Sequence, residues 1–259
     1  MAASQSLVHN KLKAGIALLL TFVAGFVDVV GYLAVYHLFT ANMTGNTVHL
    51  GHDLVAGQYF AATIALSVLG AFVLGSIGGR ALIEVGARLH LRSVASVTIA
   101  VEAALILGFI AVFNALSGTS KSTADICLLL VLLTIAMGIQ TASLTRLGPL
   151  TVHTTFVTGM LNKLSQLISH VLFRSYDLIY AGEHDGKRLR EMRKQHMQEA
   201  LFFFSIWFTY FVAALAGSLC YSRWSVQVMY LPTFLLGIAI IVDQFRPLSL
   251  QEEQDQLEL

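Results

Sequence analysis

Apolar and polar positions are distributed along this chain in long blocks. Nearly uninterrupted apolar runs cover 14–38, 60–83, 94–116, 124–147, 200–221 and 226–245. Each is close to the ~20 helical residues that cross a hydrocarbon core of about 30 Å. Only helices and closed barrels satisfy their backbone in lipid, and runs of this length and type are helical. The pattern therefore predicts an all-α, polytopic membrane protein with six transmembrane helices. The first run follows Lys11 and Lys13, as the apolar part of a signal peptide would. It is too long for one, and Asp28, Gly31 and Tyr32 stand where a cleavage site needs small residues, so it reads as a retained helix.

The polar interruptions carry more information than the apolar runs. The first, FTANMTGNTVHLG (39–51), is small, polar and broken by glycine, and it has an echo in TTFVTGML (154–161). Thr40-x-x-x-Thr44-Gly45 returns as Thr154-x-x-x-Thr158-Gly159, 114 residues later, and each copy follows an apolar run with an early glycine, Gly25 or Gly138. Further on, FVLGSIGGR (72–80) matches ALAGSLCYSR (214–223), with Gly75-Ser76 facing Gly217-Ser218 at an offset of 142. Two repeats follow from this, 14–116 and 124–246, the second with a basic insert at 176–199. They lie between an N-terminal segment 1–13 and an acidic tail 247–259. Three helices per repeat is an odd number, so consecutive copies must enter the bilayer from opposite sides. That gives two inverted three-helix repeats, the arrangement by which many secondary transporters expose one central site to each face in turn.

Each motif joins a spanning helix to a shorter one. After Gly45 the segment reads as a short helix capped by Thr44 or Asn46 and ended by Gly57. After Gly159 an amphipathic helix carries Leu161, Leu164, Leu167, Ile168, Val171 and Leu172 at helical spacing. Backbone freed at such a break is tolerated at membrane depth only inside protein or beside a water-filled cavity. Thr40, Asn42, Thr44, Gly45 and Asn46 from one side, and Thr154, Thr155, Thr158 and Gly159 from the other, are therefore candidate solute-binding residues. The new helix N-termini would favour anionic or carbonyl groups. The competing reading is a pair of surface loops in which Thr and Asn only cap helices.

Two carboxylates lie inside apolar runs, Asp28 in the first and Glu102 in the third. An ionisable residue there is costly and functional by default, so both are candidates for proton coupling, Asp28 also for the solute site. For Glu102 the competing role is a structural partner. Gln140 and Arg146 lie on the helix that matches the one bearing Asp28 and join the candidate site, although such an arginine usually reaches for the headgroups.

Other features argue against chemistry. His49-x-x-His52-Asp53 supplies too few ligands for a metal centre, and no H-E-x-x-H or G-x-S-x-G occurs. No enzyme, metal or cofactor is expected. Cys127 and Cys220 fall near the predicted outer helix ends, where a disulfide is conceivable and small apolar packing is the commoner role.

Composition and charge fix the setting. Apolar residues make up 56% of the chain and charged ones 12%, about half the share usual in soluble domains. The net charge of +1 gives no sign of a nucleic-acid partner. Of sixteen Lys and Arg residues, all but Lys121 and Arg223 fall on one side of the six-span arrangement. Basic residues collect in cytoplasmic loops, so both termini are expected in the cytoplasm. The basic run 183–199 would anchor there on anionic lipid or dock a partner.

AGFVDVVGYL followed by FTANMTGNTVHLG, and GIQTASLTRLG followed by TTFVTGML, resemble the YoaK-like family of bacterial multi-pass membrane proteins over about 14–245. Where that family usually has Asn after the Gln, this chain has Thr141. The resemblance implies an integral inner-membrane protein of about six helices and names no substrate. The combined expectation is a secondary transporter or permeation protein for a small polar or anionic solute, with the lipid bilayer, that solute and further copies of the chain as candidate partners. The alternative is a non-transporting scaffold or regulator acting through 183–199.

Overall fold

The computed structural model describes residues 2–91, 93–118, 122–143, 146–147, 150–151, 154–180 and 183–245, with side chains from Leu12 onward except at 146–147, 150–151 and 183–184. Within these residues the order is α1 (Ala2–Ala34), α2 (Met43–Val55), α3 (Tyr59–Arg88), α4 (Val94–Ala115), α5 (Thr123–Ser143), a two-residue pairing of β1 (Arg146–Leu147) with β2 (Leu150–Thr151), α6 (Val157–Tyr180), α7 (Glu183–Trp224), a 3-10 turn (Ser225–Met229) and α8 (Tyr230–Phe245). The fold is helical apart from that small antiparallel hairpin.

Among the described residues, five segments are long and apolar enough to cross a membrane: Leu12–Ala34, Tyr59–Arg88, Val94–Ala115, Thr123–Ser143 and Asp185–Phe245. The fifth, 61 residues long, joins two of the apolar runs. Within it α7 has 42 residues, about 63 Å at the helical rise, roughly twice the hydrocarbon thickness. The basic run is therefore the first half of a helix whose second half is the apolar 200–224 stretch. α7 ends where Ser225 takes a left-handed φ of 53°, and α8, only 16 residues long, continues from the turn.

The first polar break is tighter than its sequence suggests. Asn42, not Thr44 or Asn46, caps α2, its Oδ1 accepting from Gly45 N at 3.2 Å. α2 starts at Met43 and ends before Gly57, which adopts φ +70°. Asn46 is fully buried, and its side-chain amide grips the Phe39 backbone from both sides. Its Oδ1 accepts from Phe39 N at 2.9 Å, and its Nδ2 donates to Phe39 O at 2.6 Å.

Packing follows an exchange: α1 lies along α7, and α5 lies along α3. Glycine sets both contacts. A Cβ at Gly138 of α5 would stand 2.5 Å from the carbonyl oxygen of Phe72 on α3, and one at Gly25 of α1 would stand 2.7 Å from that of Tyr210 on α7. α4 packs between α5 and α8, α2 on α3, and α6 on α7. α1 and α5 are the most enclosed spans, with 67% and 50% of their apolar windows inside the bundle against 33–39% for the others. Phe26, Leu20, Phe109, Leu133, Met137 and Phe203 are among the fully buried side chains of the core between them. Elsewhere large apolar side chains such as Leu66, Leu74, Ile77, Phe204 and Phe211 face outward, a surface that suits lipid and not water.

Candidate functional site

Both breaks close on one cleft. Its volume is about 590 Å³, and it is lined by Asn42 and Thr44 from the first break, Thr155 and Thr158 from the second, Asp28 of α1, Thr141 of α5, Phe72 of α3 and Tyr210 of α7, with Phe39 and Phe156. That size suits a small organic molecule. Asp28 and Thr155 are 5% and 6% exposed, whereas Asn42, Thr44, Thr158 and Phe156 are open. The cleft thus has a buried floor and an open rim.

Asp28 organises the floor. Its Oδ1 accepts from Thr40 N at 2.6 Å, Ala41 N at 2.7 Å and Thr40 Oγ1 at 3.1 Å, and its Oδ2 accepts from Tyr210 OH at 2.6 Å. One carboxylate therefore holds α1, the first break and α7 together. Charge-assisted bonds are about twice as strong as neutral ones, and a carboxylate in an apolar helix needs such partners to be tolerated. Thr40 itself is fully buried against α1, its methyl packed where Gly31 leaves room.

The second break has a neutral counterpart of this contact. Thr141 Oγ1 lies 2.7 Å from Thr155 Oγ1 and donates to Met137 O at 2.7 Å. A hydroxyl has one hydrogen, so Thr155 is the donor to Thr141. Gln140 is fully buried behind the cleft, its Nε2 donating to Leu20 O at 2.6 Å and to Thr154 Oγ1 at 3.3 Å. It braces α5 and the second break against α1.

The candidate residues thus divide. Asp28, Asn42, Thr44, Thr155 and Thr158 line the cleft. Thr40, Asn46, Gln140 and Thr154 are buried supports: Asn46 holds the Phe39 backbone, Thr40 donates to Asp28, and Gln140 donates to Leu20 O and Thr154 while its Oε1 has no partner among the described residues. Gly45 and Gly159 pack under Phe39 and Phe156. The side chain of Arg146 lies outside the described residues. Glu102, fully buried in α4, has neither oxygen hydrogen-bonded among the described residues and stands away from the cleft lining. His49 and His52 are exposed on α2, His52 Nδ1 lying 3.2 Å from Asp53 Oδ1. Cys127 and Cys220 are free thiols.

Sequence reasoning missed Tyr210, Phe72 and a further buried carboxylate in an apolar helix, beyond Asp28 and Glu102. Asp243, fully buried near the end of α8, accepts from Ser96 Oγ at 2.6 Å and from Ser93 Oγ at the start of α4. Its signal was present, since Asp243 interrupts an apolar run and Ser93-x-x-Ser96 opens another. Tyr210, within FFFSIWFTYF, had no such mark.

The comparisons agree with a membrane protein. No solved structure matches the chain. It is 36% identical over 157 residues, covering 60% of this chain and 67% of the relative, to the UPF0700 transmembrane protein YoaK of Bacillus subtilis (strain 168). With five apolar crossing-length segments and this likeness, the chain is a multi-pass integral membrane protein. The family described as "Protein of unknown function (DUF1275)" matches residues 16–242, nearly the whole apolar body, and the chain belongs to that YoaK-like membrane family.

Proposed function

We propose that this protein is a secondary transporter or permeation protein for a small polar solute, built from two inverted halves that meet at the Asp28 cleft. The observation that carries the reading is the convergence of both polar breaks and a buried carboxylate on one cleft of small-molecule size. In this reading the halves are α1–α4 and α5–α8, and the spans are α1, α3, α4, α5, the apolar part of α7, and α8 with its preceding turn.

Three correspondences support the halves. The packing of α1 on α7 mirrors that of α5 on α3. Gly25 and Gly138 make the close approaches, and each facing helix also brings a glycine to the seam, Gly75 against Gly138 and Gly217 against Phe26 and Val29. The contact of Asp28 with Ala41 recurs as that of Thr141 with Thr155, at offsets of 113 and 114. Two such halves can exchange conformations and open a shared site to alternate faces. In this reading both termini and the 183–199 segment lie in the cytoplasm of a bacterial cell and the protein in its inner membrane, which the distribution of basic residues along the sequence supports.

The test is reconstitution into liposomes and stopped-flow swelling against a panel of small neutral, cationic and anionic solutes. At least one solute should enter faster than in protein-free liposomes, and Thr155→Trp, which fills the floor, should remove the gain. No acceleration for any solute would sink the reading.

One observation favours the alternative of a scaffold or regulator. α6 exposes Leu172, Phe173, Tyr176 and Ile179, and α7, which packs on it, exposes Arg188, Arg190, Arg193 and Lys194, apolar and basic surface outside the cleft lining. Replacing Arg190, Arg193 and Lys194 with Gln should leave solute entry unchanged, whereas a scaffold would lose its activity.

A further inference from the structure

The hydrogens on the floor of the cleft are already assigned. Tyr210 spends its proton on Asp28 Oδ2, Thr141 spends its own on Met137 O, and Thr155 spends its own on Thr141. A hydroxyl has no second hydrogen to give. What faces the cavity is therefore a set of lone pairs: the remaining one on Asp28 Oδ2, which takes a single donor among the described residues, and those of Thr155 Oγ1. Free hydrogens belong to the rim, where Asn42, Thr44 and Thr158 are exposed.

Charge agrees with this inventory. Asp28 is an acid, and the described lining residues include no Lys, Arg or His. Phe39, Phe72, Phe156 and the phenol of Tyr210 make up most of the apolar wall, with Ala41, Met43 and Val157, and the faces of aromatic rings attract cations, not anions. A bare metal ion does not fit, because no three of His, Cys, Asp and Glu gather among the described residues and the cleft is far larger than an ion.

From this we infer that the cleft binds a small organic ammonium ion, a protonated amine whose N–H groups point to Asp28 and Thr155 and whose carbon body lies among the phenyl rings. The ammonium is then a counter-ion for the buried carboxylate, which has none among the described lining residues, and its hydrogens meet acceptors on a floor with no free donor among the hydroxyls named above. This rests on the permeation reading above and replaces its broad solute class with one of definite charge. An anion would face Asp28 with no cation among the described lining residues, and a hydrogen-bond acceptor would find none of the floor's hydrogens free.

The experiment is isothermal titration of the detergent-purified full chain with propylammonium, 1-propanol and propionate, which share a three-carbon body and differ at the head. Propylammonium is expected to bind at least about tenfold more tightly than either of the others, the scale of one charge-assisted contact. Asp28→Asn should lose most of that margin. Asparagine can keep the Thr40 and Ala41 bonds through its oxygen and turn its amide to the Tyr210 oxygen, so folding is expected to survive. Thr155→Val leaves Asp28 intact and should weaken propylammonium several-fold. Equal or tighter binding of 1-propanol or propionate, no propylammonium binding at millimolar concentration, or an Asp28→Asn affinity equal to wild type would overturn the assignment. The liposome swelling assay is read separately, so entry of neutral or anionic solutes there would sink the ammonium assignment and leave the permeation reading standing.

Discussion

Tyr210 donates to Asp28 Oδ2 across 2.6 Å, a contact that joins helices α1 and α7 at the floor of the cleft. It links residues 182 positions apart, and it leaves Asp28 with donors on both oxygens while its side chain still reaches the cavity.

Tyr210→Phe removes this bond and keeps the ring. A hydrogen bond to a charged group contributes about 1.5–3 kcal/mol, so the unfolding midpoint of the variant in detergent should fall. A midpoint unchanged from wild type would mean that the tyrosine hydroxyl does not hold the carboxylate.

Gly138→Val tests the helix exchange. Its Cβ would stand 2.5 Å from the Phe72 carbonyl oxygen, a backbone atom that cannot step aside, and overpacking of this kind costs about 1–3 kcal/mol. Gly70→Ala, on the same α3 with nothing within 4 Å of its Cβ, serves as the control. Thermal unfolding should separate the two, with only Gly138→Val lowered; equal behaviour would contradict the packing of α5 on α3.

Asn46→Asp tests the first break. Aspartate can still accept from Phe39 N but cannot donate to Phe39 O, which would face a carboxylate instead of an amide. Limited proteolysis should open the 35–42 segment in this variant and spare it in Asn42→Ser, which keeps a helix cap. An equally resistant Asn46→Asp would show that the amide clamp does not hold the turn.

Much of this arrangement was legible in the sequence, for physical reasons that differ by residue. Length and apolar character marked the crossing segments because lipid demands both, and the polar breaks stood out as interruptions of them. Asp28 was visible because an acid in an apolar helix is costly. Which residues line the cleft and which merely support it was not legible. Asn46, Gln140 and Thr40 have the same polar chemistry as Asn42 and Thr155, and only the course of the backbone sends them inward, Asn46 and Gln140 to bind main chain and Thr40 to bind Asp28. Tyr210 and Phe72 sit among other aromatic residues and glycines on helices α7 and α3, where nothing local says which face meets α1 or α5. The length of α7 was hidden because its two halves differ in composition, one basic and one apolar, although a helix can run unbroken through both.

The most direct test of a shared, permeable site needs no knowledge of the solute. Thr155→Cys, in a chain with Cys127 and Cys220 replaced by Ala, is treated with a membrane-impermeant thiol reagent from each face of sealed vesicles. A cleft that opens to both sides predicts labelling from both faces, reduced in each case when Thr44→Trp crowds the rim. Labelling from one face alone, or from neither, would contradict it.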